Sequence, residues 1–73
     1  MYILVLTLNI KITKHAKEQM INRVVEKEEI KKAIQRGAKI KQTDGFLSHY
    51  GYILVAWKKV GEDYIIKTVM IKG

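Results

Sequence analysis

His15, Gln19 and Arg23 recur every four residues within Thr13-Lys14-His15-Ala16-Lys17-Glu18-Gln19-Met20-Ile21-Asn22-Arg23, a spacing that puts them along one stripe of a helix. Beside that stripe runs an apolar one of Ala16, Met20 and Val24, suited to packing on a core. Metal-independent cleavage of RNA asks for a group that deprotonates the 2'-hydroxyl, cations that stabilise the charged phosphorane, and an acid for the departing 5'-oxygen. His15 and Arg23 are the candidate catalytic pair for that chemistry. Lys14, Lys58, Lys59, Lys67, His49 and Tyr50 are the candidates for holding RNA phosphates. Each has a plainer reading beside it. His15 can satisfy a backbone carbonyl, Arg23 can complement the helix dipole, His49 can be a solvated loop residue, and the lysines can form a wet face. Tyr50, Tyr52 and Tyr64 offer rings for base stacking, whereas Trp57, in the most apolar stretch, is worth more as core packing.

Several chemistries are excluded by what the chain lacks. With no cysteine there are no disulfides, no thiolate nucleophile and no cysteine-ligated zinc. His15 and His49 with scattered carboxylates make no metal-ligand spacing, and no glycine-rich phosphate loop occurs. Ser48, the single serine, carries no hydrolase motif around it. No metal and no cofactor is expected. Fourteen basic against seven acidic residues give a formal charge of +7, which draws RNA or an acidic protein. A lysine-rich surface also keeps a small protein in solution and is common in thermophile proteins. Met1 to Leu8 is apolar but too short to span a bilayer, and it lacks the basic leader and cleavage site of a secretory signal. A cytoplasmic protein without membrane contact is expected.

The elements that must position these residues fit one domain, residues 1–73. A chain of 73 residues buries only about 60% of the surface its unfolded form exposes, so its stability is narrow. Residues 2–12 alternate as a first strand. Thr13 can cap a helix from Lys14 to Arg23 or Val24 by accepting a first-turn N–H. A second helix from Glu26 to Arg36 has glutamates early, basic residues late and Gly37 at its stop position. Ala38 to Thr43, Tyr50 to Lys59 and Asp63 to Lys72 then read as three strands of a meander, separated by Asp44-Gly45 and Gly61-Glu62-Asp63 turn signals. The expected fold is α+β, β-α-α-β-β-β, with two helices on one face of a four-stranded, mainly antiparallel sheet.

One surplus stands out. Both alternating faces of Tyr52 to Trp57 are apolar, and in the last strand Ile65, Val69 and Ile71 oppose Tyr64, Ile66 and Met70. Two helices cover only one face, so the other calls for strong curvature, a homodimer or a partner chain.

The run from His15 to Gly37 resembles a small uncharacterised domain family with the hallmark H-A-x-x-R-M-x-x-R followed by a short acidic-capped helix. Tyr52 to Lys58 and Tyr64 to Met70 fit its C-terminal half. That family is similar in layout to the RelE/ParE-like toxins and to the barnase-like, colicin-like and RelE-like ribonuclease folds. The resemblance implies a small basic toxin that acts on RNA and is neutralised by an acidic antitoxin protein. His15, Ala16, Met20 and Arg23 match the hallmark; Gln19 stands where it has arginine, so one cation is missing. The alternatives are a noncatalytic module that docks an antitoxin segment or its own copy, and a ParE-like poison of a topoisomerase.

Overall fold

The computed structural model describes residues 9–72. Chain order is β1 (Asn9–Ile12), α1 (Lys14–Arg23), α2 (Lys27–Arg36), β2 (Ala38–Gln42), β3 (Gly45–Tyr50), β4 (Ile53–Val60) and β5 (Asp63–Ile71). The strands form one sheet in the order β1-β5-β4-β3-β2. β1 runs parallel to β5, and the other three pairings are antiparallel. The fold class is α+β as expected, but the four-stranded, mainly antiparallel β-α-α-β-β-β arrangement is overturned by a fifth strand and a mixed sheet. Residues 2–8 of the predicted first strand lie outside the described residues.

The extra strand is β3. Ser48 and His49 interrupt its apolar run and make it look like a connection. Yet Ser48 is fully buried, and its hydroxyl oxygen accepts the Trp57 indole N–H at 2.8 Å. A polar side chain satisfied in this way does not break a strand. Gly51, at φ 62°, then turns the chain again and separates the end of β3 from β4. One more hairpin reverses the direction of the last strand, which leaves β5 running parallel to β1.

Both helices start where the capping chemistry places them. The Ala16 N–H donates to Thr13 Oγ1 at 3.1 Å, and the Glu26 N–H ahead of α2 donates to Glu29 Oε1 at 2.9 Å. At the end of α1, Val24 takes the left-handed conformation (φ 53°) while 82% exposed, a position glycine usually fills. Gly37 ends α2 without a left-handed turn, at φ −74°. Its need for glycine is close approach, since a Cβ there would stand 2.5 Å from the Ala33 carbonyl oxygen and 2.8 Å from that of His49.

Ala16, Ile30, Ala33 and Ile34 of the helices bury against Ile53, Val55, Trp57, Ile66 and Val69 of the sheet, with α1 on β5 and α2 on β3 and β4. Simple alternation along β5 would put Ile66 and Val69 on opposite faces. A bulge corrects this: Trp57 pairs with Ile66 and Ala56 with Thr68, leaving Lys67 as the extra residue. Beyond a bulge the alternation restarts one residue out of phase, so Ile66 and Val69 share the helix-covered face.

Candidate functional site

The stripe of α1 divides into two roles. His15 and Arg23 are exposed, and about 12 Å of helix rise separates them. Gln19 between them is turned to the sheet, where its Oε1 accepts the Val69 N–H at 2.9 Å. The reason lies in strand length. The β1–β5 pairing ends at Ile12 and Ile66, Thr13 adds one bond to the Ile66 carbonyl, and β5 continues to Ile71. The Val69 N–H therefore points to the side where β1 has already left, and Gln19 supplies its acceptor. Gln19→Leu, of similar size, is expected to cost about 1–3 kcal/mol by orphaning that N–H, whereas Gln19→Glu keeps an acceptor there. Urea unfolding of both variants checks this, and a Leu variant as stable as wild type would sink it.

Of the other candidates, Lys14 adjoins His15, exposed at the start of α1, and the rest are divided between the two faces of the sheet. Tyr50 is half-buried and packs against the core. Trp57 is buried as expected, stacked on Phe46 at 5.0 Å and tilted against Tyr64 at 5.4 Å. Lys59 extends over the Tyr64 ring, its Nζ 5.3 Å from the centroid, on the same face as Trp57. His49 lies on the other face, with Nε2 3.0 Å from the Gly51 carbonyl oxygen.

Lys58 and Lys67 do come together. Their ammonium nitrogens each stand 3.5 Å from Asp44 Oδ2, and Lys67 Nζ also donates to the Asp44 carbonyl oxygen. Lys58 alternates with Trp57 and so faces away from the helices, and the bulge brings Lys67 to the same side. Asp44 had no role in the sequence reading beyond a turn signal, and the bulge left no mark in the alternation of β5.

These lysines sit at one end of an aliphatic surface. Register places Ile40, Leu47, Leu54, Ala56, Ile65 and Met70 on the face away from the helices. All are half-buried except Ile40, which is 55% exposed. No described helix packs there. The strand aromatics Phe46, Tyr50, Trp57 and Tyr64 all lie on the opposite, covered face, so this surface is mainly aliphatic, with His49 beside Leu54 and Thr68 beside Ala56.

Among the described residues no three His, Asp or Glu side chains come together as a metal site, and no helix is long and apolar enough to cross a membrane. Residues 12–71 match the model of a family described as Domain of unknown function (DUF4258). The chain belongs to that family. The DUF4258 match takes in both helices and β2 to β5, hence the whole aliphatic face with its two lysines. No curated protein and no solved structure matches the chain.

Proposed function

We propose that this DUF4258 domain is a noncatalytic interaction module that holds an acidic, apolar-sided segment of a partner protein on the uncovered face of its sheet. The observation that carries the reading is the aliphatic surface of Leu47, Leu54, Ala56, Ile65 and Met70, over which no helix packs among the described residues. Contiguous exposed apolar surface is characteristic of interaction sites. Charge selects the occupant: a net +7 favours an acidic chain and opposes two copies meeting face to face. RNA is less suited to this face, because single-stranded bases are held by stacking on planar side chains and among the strand residues only the His49 ring is on this side. The ribonuclease reading would rest on His15 and Arg23, about two turns apart on α1 with Gln19 between them turned to the sheet.

The test has two readouts. Mixed single-stranded RNA incubated with the protein in EDTA stays intact, and peptides selected on the domain from an unbiased display library shift the amide resonances of Leu47, Leu54, Ala56 and Met70. RNA cleavage that disappears in both His15→Ala and Arg23→Ala overturns the reading in favour of a nuclease. Peptide shifts confined to α1 overturn the assignment of the face.

A further inference from the structure

Resting on that reading, we infer that Lys58 and Lys67 are the carboxylate-binding pair of the docking face and that Asp44 is its built-in competitor, occupying the pair until an Asp or Glu of the partner takes its place. Three features build this arrangement. The bulge in β5 makes Lys67 an extra residue on the open side, and bulges commonly re-aim a side chain at a site of use. β3 starts so close to β4 that a Cβ on Gly45 would stand 2.9 Å from Lys58 Cβ, which delivers Asp44, one residue earlier, beside Lys58. Finally, both lysines reach one carboxylate oxygen, at 3.5 Å each, so two cations face one anion and a positive charge is left over.

The pair is suited to exchange. The Asp44 side chain is 70% exposed, against 39% for Lys58 and 32% for Lys67. It can therefore swing into water while the lysine stems stay along the aliphatic surface. An exposed ion pair is worth little, so its replacement by a partner's carboxylate is nearly neutral, while the partner's apolar side chains add burial on Leu47, Ala56 and Ile65. Lys67 is also tied to the Asp44 main-chain oxygen, so removing the Asp44 carboxylate does not release it.

The experiment starts from the peptides selected on the full chain. Their sequences are expected to alternate Leu, Ile or Val with Asp or Glu. In titrations at low salt, Asp44→Asn binds such a peptide about 3- to 10-fold more tightly than wild type, and the Lys58→Gln/Lys67→Gln double variant, which leaves the Asp44 carboxylate without its cations to repel the peptide, about 10-fold more weakly. Both differences shrink as salt is raised, and both vanish when the peptide's Glu residues are replaced by Gln. Asp44 stands with Thr43 in the two-residue turn between Gln42 and Gly45 without a positive φ, a turn position that asparagine takes as aspartate does, so Asp44→Asn folds, and an unchanged melting curve verifies it. Peptides that shift the sheet face without acidic enrichment, or that bind Asp44→Asn no better than wild type, overturn the competitor role and leave the docking surface standing. If no selected peptide shifts that face, the docking reading itself falls.

Discussion

Replacing Trp57 with alanine is expected to remove about 3–5 kcal/mol of stability, the range for truncating a buried aromatic side chain. For a chain of 73 residues that is most of its reserve, since small domains hold roughly 0.05–0.15 kcal/mol per residue. The melting temperature should fall by on the order of 15–30 °C. The effect is large because Trp57 is the hinge of three separate interactions. Its ring lies between Phe46 and Tyr64, binding β3, β4 and β5 into one aromatic row. Its apolar bulk joins the cluster with Val55 and Ile66. Its indole N–H supplies the partner of Ser48, the one buried polar side chain among the described residues.

The last of these interactions can be isolated. Trp57→Phe keeps an aromatic ring in the row and removes the indole N–H, so it should cost less than alanine, about 1–3 kcal/mol. Adding Ser48→Ala to Trp57→Phe should then cost almost nothing, whereas Ser48→Ala alone leaves the indole N–H buried without an acceptor. Such a double-mutant cycle reads the bond directly. Additive costs in urea unfolding would show that the two side chains do not act as a pair.

This pair also explains where sequence reasoning stopped. Both helices were legible almost to the residue, because Thr13, the early glutamates and the late basic residues each act on backbone groups within one turn of themselves. β2 and β5 were legible from their β-branched runs. β3 was not, since Ser48 looks like a strand breaker until Trp57, nine positions later, is known to satisfy it. Gln19 failed for the same reason: its partner is the Val69 N–H, fifty positions away, and a four-residue spacing carries no information on which strand edge is open. Tertiary pairing decides both cases, and local spacing does not. The apolar surplus in β4 was visible as alternation. The β5 bulge, which sorts Ile65 and Met70 onto the open face with Ile66 and Val69 beneath the helices, has no residue signature of its own. Among the site candidates, Lys58 and Lys67 were legible only as positive charge; Asp44, which gathers them, was read as part of a turn.

Gly45→Ala should destabilise the domain by about 2–5 kcal/mol, combining left-handed backbone strain with overpacking. Gly45 sits at φ +113°, and an added Cβ would run into the Trp57 carbonyl oxygen and stand 3.1 Å from Lys58 Cα. Backbone atoms cannot yield as the tip of a side chain can, so β3 must move away from β4 at the point where Asp44 meets its lysines. Gly51→Ala is the matching control. It too has a positive φ, +62°, but in the left-handed well that L residues can enter, and nothing lies within 4 Å of its added Cβ, so only a milder strain remains, roughly 1–2 kcal/mol. The gap between the two variants in urea unfolding reads the closeness of β3 and β4 together with the harsher backbone of Gly45 at φ +113°. A second readout separates stability from site geometry: at temperatures where Gly45→Ala is still folded, it should weaken binding of an acidic peptide, and Gly51→Ala should not. Equal destabilisation by the two substitutions would mean that the start of β3 at Gly45 does not press on β4, and the delivery of Asp44 to Lys58 and Lys67 would lose its cause.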